Sequence, residues 1–499
     1  MVTRAVRALL AGALTAAVLT AAPAPARAST EPIAWGDCPT GTAPGERCGS
    51  IGAPLDHTRP DGARIRVGVS RVPATGSRAE YQGVLVVNFG GPGASSVGSM
   101  AALAGGLPER LRRAYDLIGF DLRGRGTSTR VTCTDPVTFG RAPRPDPAVP
   151  AGRAAHLAAT RAFADGCRAS APDLLPHLTT RDIARDLDLV RAAFGAERLS
   201  ILGYSYGSYL GAVYGQLFPR RVHRMLLDSV VDPTEVWYGT GFLQARAFSA
   251  RQRDWAGWAA DRDDRYHLGT SAARVLATWD VLRARLVARP ADGVFGGVEL
   301  DQFTIGSLYT DRDWPRLAGA LADYASGDPA ALVKSRRAAT GEEVNFESVF
   351  QTVSCADAPF PADERVFEAD MVRLRARYGA LGAAIASPGA CLYLQTNTAP
   401  PTRIDGAGLP GVLLIQSVGD PATPYEGALR MHEALPSSRL LTVRGNGNHG
   451  HYLVDGPCVD DRATGYLVDG TLPAHDIECD AAASEGPVTR RPGVPRLPR

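Results

Sequence analysis

Ser205 stands between two glycines in GYSYGS, residues 203 to 208. A serine hydroxyl is a weak nucleophile until a base takes its proton. Gly-x-Ser-x-Gly is the spacing that lifts such a hydroxyl onto a sharp strand-to-helix turn. The motif alone says little, because 54 of the 499 residues are glycine. Acyl transfer at this serine needs three more parts: an acid, a histidine and N–H donors for the developing oxyanion.

An acid and a histidine that follow the serine in the chain fit a strand–turn–helix nucleophile. Asp420, in GDPATP, follows the apolar run GVLLIQS (411–417) and is the expected acid; Asp228, at the end of RMLLD, is the alternative. Four of the nine histidines follow Asp420: His432, His449, His451 and His475. His449 lies in GNGNHGHY, just beyond RLLTVRG, where flanking glycines let the loop fold back toward Ser205. It is the expected base, with His451 as the alternative. His432 reads as a surface residue of a helix, and His475 lies near the C-terminus. The oxyanion donors are expected at the N–H of Tyr206, after the nucleophile, and of Gly91, in NFGGPG (88–93).

These residues need elements to position them. GVLVVNFGGPG (83–93) reads as a buried strand running into a glycine loop. YDLIGFD (115–121), RLSILG (198–203), RMLLDSVV (224–231), GVLLIQS and RLLTVRG (439–445) read as further strands. In TRDIARDLDLVRAAFGA (180–196), Ile183, Leu187, Val190 and Phe194 share one helical face; Thr179 or Thr180 caps its start and Gly195 ends it. YGSYLGAVYGQLF reads as a helix stopped at Pro219. Apolar strands alternating with helices indicate an α/β protein whose mostly parallel sheet is covered on both faces. Ser205 then falls on a strand-to-helix turn. RAPRPDPAVPAG (141–152) reads as a Pro-rich loop.

Arg4 and Arg7 precede the run ALLAGALTAAVLTAA, and ARA precedes Ser29. This is the pattern of a secretory signal peptide cut after Ala28, so the mature protein is expected to be extracellular. No later stretch is long enough to span a bilayer, so no membrane association is expected. No cysteine lies near the cut, and Arg4 and Arg7 are not adjacent, which disfavours a lipid anchor and the twin-arginine route. The chain has 54 basic and 52 acidic residues; a cleaved leader removes Arg4, Arg7 and Arg27 and leaves near-neutrality. That balance gives no support to nucleic-acid binding. Lys334 is the only lysine.

Eight cysteines in an exported chain imply disulfides. Neighbour pairing gives Cys38–Cys48, Cys133–Cys167, Cys355–Cys391 and Cys458–Cys479. No Cys-x-x-Cys pair is present, which disfavours zinc and thioredoxin-like chemistry, and no metal or cofactor is expected.

NFGGPGASS, YDLIGFDLRGRGTS, LSILGYSYGSYLGAVYGQLFP, MLLDSVVDP, SCADAP, VGDPATP and HGHYLVDGPCVDDRATGYLVDGTLP are similar to the secreted tripeptidyl aminopeptidases of actinomycetes. Those enzymes are relatives of the proline iminopeptidases in the α/β-hydrolase superfamily. The resemblance runs from about Trp35 to Cys479. It implies an α/β-hydrolase fold with an inserted, mainly helical cap, and Ser205, Asp420 and His449 as the triad. The implied organisation is a signal peptide (1–28), a first core part (29–233), a cap (234–405), a C-terminal core part (406–482) and a disordered tail (483–499). Two departures stand out: Phe89 where the family has proline, and CLYLQTNTAPP where it has a Cys-x-x-Trp-Pro-like stretch.

The expected function is removal of short peptides from free N-termini. An esterase or amidase on the same triad is the alternative, and a non-catalytic binding protein is disfavoured by the complete set of parts. A peptide's terminal ammonium, once buried, needs an anionic partner. The cap offers Glu235, Glu342, Glu343, Glu347 and Asp357. Asp357 is the expected one, in a loop pinned by Cys355 and stiffened by Pro359.

Overall fold

The computed structural model describes residues 32–385, 389–396 and 399–481. The expected signal peptide and C-terminal tail lie outside the described residues.

One ten-stranded sheet organises the chain. Its strands are β1 (Ala34–Gly36), β2 (Arg47–Pro54), β3 (Arg64–Val72), β4 (Gly83–Asn88) and β5 (Tyr115–Phe120). β6 (Leu199–Tyr204), β7 (Val222–Asp228), β8 (Val412–Ser417), β9 (Ser438–Arg444) and β10 (Ile477–Asp480) follow. The spatial order is β1-β2-β3-β5-β4-β6-β7-β8-β9-β10. β1, β2 and β3 pair antiparallel, as do β3 and β5; every pairing from β5 through β10 is parallel. This is the α/β-hydrolase fold.

The parallel strands are apolar at consecutive positions because both faces are covered. Val84 and Val86 enter one core cluster with Ile118 and Ile201. Leu85 and Val87, on the alternate face, enter another with Leu202 and Leu413. The expected strands appear within a residue or two. One is shorter: β7 ends at Asp228 rather than 231, because Ser229 takes a positive φ of 55°. The Pro-rich loop also ends early, as Pro150 opens the helix Pro150–Ser170 at a position where a missing N–H costs nothing.

Helix α1 (Thr180–Ala193) begins at Thr179, whose side chain accepts the N–H of Asp182. Helix α2 (Tyr206–Leu217) follows β6 directly. Between β7 and β8 the chain inserts helices, among them α3 (Tyr238–Ala260), α4 (Ala272–Ala288), α5 (Gly297–Leu308), α6 (Trp314–Ala325), α7 (Gly341–Asp357) and α8 (Glu364–Ile385, broken at Gly379). Helices α3 to α6 share their own core around Trp255, Trp279, Leu282, Leu308 and Leu317. Helix α7 instead buries Val349, Val353 and Ala356 in the main core. Its Asn345 donates to the carbonyls of Gly124 and Val131 and accepts from Arg125 and the N–H of Gly126. Part of the insert is thus bolted to the sheet.

The four disulfides are those of neighbour pairing: Cys38–Cys48, Cys133–Cys167, Cys355–Cys391 and Cys458–Cys479. Among the described residues no helix is long and apolar enough to cross a membrane.

Candidate active site

β6 ends at Tyr204 and α2 begins at Tyr206, so Ser205 is the whole of the turn. Its backbone has φ 55° and ψ −124°, outside the comfortable regions for a residue with a Cβ. Such strain costs on the order of 1–3 kcal/mol and persists only where neighbours impose it. Here the N–H of Ser205 donates to the Asp228 carbonyl at 2.9 Å. Its own carbonyl accepts the Ser208 hydroxyl at 2.6 Å. A Cβ on Gly203 would lie 2.2 Å from the Gly207 carbonyl oxygen, so the crossing of strand and helix requires glycine.

Tyr206 supplies the first N–H of α2, one of the amides at a helix start that have no intrahelical partner. The helix dipole adds to its pull on negative charge. The NFGGPG loop presses on the elbow from β4. Gly90 has φ 92°, and a Cβ there would meet the Cβ of Ser205 at 2.8 Å. Asn88 Oδ1 takes the Gly90 N–H at 3.0 Å, which fixes the turn. Ser205, Tyr206 and Gly91 line one cavity of about 290 Å³. Phe89, at the position of the first departure, is buried and stacks on Tyr204 at 6.4 Å.

Asp420 and His449 come together from the ends of β8 and β9. His449 Nδ1 lies 2.8 Å from Asp420 Oδ2, with the imidazole 2 % and the carboxylate 0 % exposed. Asp420 also accepts the N–H groups of Ala422 and Thr423 and the Thr423 hydroxyl. Burial pushes its carboxyl up, but His449 and the Thr423 N–H hold it below the ordinary value. An ionised acid accepts, so Nδ1 carries the proton and Nε2 is left as a base. The ring is flanked by Tyr309, edge-on at 5.3 Å, and by Thr423; both line the same cavity as Ser205.

The two alternatives have other partners. His451 is fully buried; its Nδ1 faces Asp455 at 2.7 Å and its Nε2 accepts the Ser417 N–H at 3.1 Å. Burial disfavours the imidazolium, while Asp228 and Asp455 pull toward it. The Ser417 N–H aimed at Nε2 leaves no room for a second proton, so the ring is the neutral Nδ1–H tautomer. Asp228 takes the N–H groups of His451 and Tyr452 on its carboxylate and that of Ser205 on its carbonyl. It ties the elbow to the histidine loop.

Asp357 is placed differently from its expectation. It is the last residue of α7, not a loop residue. Its carboxylate accepts the Thr180 N–H at 2.5 Å, the Thr180 hydroxyl at 2.6 Å and the Trp237 indole N–H at 3.0 Å. Burial pushes it up to about 6 despite those donors. It braces α7 against α1 and is not on the cavity wall. The acids on that wall are Asp232 and Glu347. Asp232 pairs with Arg430 and accepts both donors of Thr234. Glu347 accepts the Gln351 amide, at 2.8 Å, one turn along α7. Helical spacing carries the signal, since Glu347, Gln351 and Ser354 fall on one face and all line the cavity. Phe346, beside Glu347, brings its ring within 3.2 Å of where a Cβ on Gly91 would sit.

A family model described as TAP-like protein matches residues 379–479. The chain is 40% identical to the tripeptidyl aminopeptidase of Streptomyces lividans, over 94% of this chain and 90% of that protein. It is 30% identical to the serine protease Hip1 of Mycobacterium tuberculosis, over 90% of this chain and 91% of that one. It is 32% identical to carboxylesterase B of the same organism, over 87% of this chain and 86% of that one.

Proposed function

The chain belongs to the tripeptidyl aminopeptidase family of serine hydrolases, and on that premise we propose that it is a secreted serine aminopeptidase that releases short peptides from free N-termini. The observation that carries this reading is the Asp420–His449 pair beside the cavity that Ser205, Gly91 and Tyr206 line.

Ser205 Oγ attacks the scissile carbonyl carbon, and His449 Nε2 takes the hydroxyl proton. The N–H groups of Gly91 and Tyr206 receive the oxyanion. As the C–N bond breaks, His449 passes the proton to the leaving amine, and an acyl-enzyme on Ser205 remains. Water, deprotonated by the same nitrogen, attacks the ester carbonyl; the bond to Ser205 Oγ breaks, Oγ takes the proton back from His449, and the peptide is freed. Asp420 stays ionised and keeps the imidazole in the useful tautomer. Glu347 pairs with the terminal ammonium of the substrate. Among the described residues it is the wall acid without a cationic partner at hydrogen-bond distance, Arg144 acting on it only at longer range, whereas Asp232 is neutralised by Arg430. The four disulfides support export, in keeping with the expected signal peptide.

The similarity to carboxylesterase B favours a second reading, an esterase on the same triad. A panel of tripeptide nitroanilides and acyl nitrophenyl esters tests the choice. Tripeptide anilides are expected to give the higher kcat/KM; turnover of esters with none of the peptides would reject the aminopeptidase.

A further inference from the structure

The loop that carries His449 is held from two sides. From the sheet, Ser229 Oγ accepts the N–H of Gly450 at 2.7 Å. Asp228 accepts those of His451 and Tyr452. His449 and Asn448 are held by the insert as well as by Asp420 on the imidazole and by the Ser417 hydroxyl, which donates to the Asn448 carbonyl at 3.3 Å. The N–H of His449 donates to the carbonyl of Tyr309 at 2.9 Å, and the N–H of Asp311 donates to Asn448 Oδ1 at 2.9 Å. Arg312 adds a bond to the Val454 carbonyl at 3.2 Å.

These contacts come from the turn that joins α5 to α6, and that turn is clamped in place. The carboxylate of Asp311 pairs with Arg251 of α3, whose side chain is 5 % exposed. The Arg251 guanidinium lies 4.5 Å over the ring of Trp314, the first residue of α6. The guanidinium also meets the catalytic loops: a Cβ on Gly447 would come within 2.8 Å of the guanidinium carbon and 2.4 Å of the Gly419 carbonyl oxygen. Gly447 therefore packs against both Arg251 and Gly419. Gly419 adjoins Asp420, and Gly447 lies two residues before His449.

We propose that the insert is part of the catalytic apparatus as well as the roof of the cavity: the Tyr309–Arg312 turn sets the position of His449, and Arg251 and Asp311 are positioning residues for it. This rests on His449 being the general base. The physical reason is geometric. The core reaches His449 through Asp420 on the imidazole and Asn448 through the Ser417 hydroxyl, but the backbone N–H of His449 is held by the insert, and a displacement of about 1 Å at a reacting group can cost on the order of 100-fold in rate. A roof that only binds substrate would act on peptides alone. A clamp on the base acts on every acyl substrate, including one too small to touch the insert.

The test pairs Arg251→Met with Asp311→Asn, so that neither charge is left buried alone. Two substrates are used, a tripeptide nitroanilide and nitrophenyl acetate. The expected result is a fall in kcat of at least about tenfold on both, with KM for the tripeptide unchanged. Arg251→Lys, which keeps a cation beside Asp311 but loses the flat stack, should recover part of kcat on both by the same factor. Loss on the tripeptide alone, or no loss on either, would overturn the proposal. Should the double variant not fold, Arg251→Lys alone decides by the same criterion: equal loss on both substrates supports it, unequal or absent loss overturns it. His449→Ala is measured alongside. If that variant keeps near wild-type turnover, the general-base assignment has failed; if it is inactive while the double variant is not, only the clamp has failed.

Discussion

The strand ends that carry Ser205, Asp420 and His449 and the helix that carries Glu347 and Asp357 border the same region and follow different rules. At the strand ends, position is set by backbone: a parallel sheet delivers the residue after β6, the loop after β8 and the loop after β9 to one edge. On α7, position is set by which side of a helix a residue occupies. Glu347 and Asp357 are two acids of one helix, ten residues apart, yet one faces the cavity and the other is buried against Thr180 and Trp237. Chemistry at the first region is therefore expected to tolerate no substitution. Selectivity at the second is expected to depend on the face and not on the charge alone.

The largest effect is expected at the strand ends. Ser205→Ala removes only the attacking oxygen and should lower kcat by several orders of magnitude, with circular dichroism and the unfolding midpoint unchanged. Near wild-type turnover from the purified variant would break the comparison at its first member. A serine-directed phosphonate should add one mass equivalent to the wild type and none to the variant.

The next effect belongs to the wall. Glu347→Gln keeps the shape and the contact with Gln351 but removes the charge. kcat/KM for a free tripeptide should fall by at least about tenfold, equivalent to 1.4 kcal/mol. The value for its N-acetylated form should not change. An equal fall on both would mean that Glu347 shapes the wall without reading the ammonium.

The smallest effect is expected at Asp357. Asp357→Asn should leave the preference for free over acetylated peptides intact, because the carboxylate braces α7 and does not reach the cavity. Its signature is in stability. The folded carboxyl is pushed up to about 6 by burial, from the ordinary carboxylate value of 3.8. The folded state thus binds this proton more tightly than the unfolded state. That contribution is fully present below about pH 4 and is lost as pH rises through about 6. Denaturant unfolding at pH 4 and pH 7 should show the wild type losing on the order of 1–3 kcal/mol relative to the variant over that range. A parallel pH dependence in the two proteins would contradict the placement.

The contrast also explains what could be read in the sequence. The elbow was legible because a six-residue apolar strand, a Gly-x-Ser-x-Gly turn and a helix are all local. Asp420 and His449 followed from chain order and from strands that precede them. Neighbouring cysteines gave the disulfides, since each pair closes a short segment. The antiparallel edge was not legible: β2 contains Gly49, Gly52 and Pro54, which blur the strand pattern, and β1 is three residues long. Asp357 was misplaced because SCADAPFP reads as a loop, whereas α7 runs on to Asp357 itself. A helical wheel extended over 341–357 separates Glu347 from it. Asp228 was read only as an alternative acid, and neither its tie between the elbow and the histidine loop nor the Tyr309–Arg312 turn could be found. Their roles lie in contacts to residues more than a hundred positions away, with no local pattern.

One measurement bears most directly on the assignment of an aminopeptidase: the ratio of kcat/KM for a good tripeptide substrate with a free N-terminus to that for the same peptide acetylated. The ammonium-binding account predicts a ratio of at least about ten in favour of the free amine. Equal cleavage of the two would contradict it and move the assignment to an esterase or amidase.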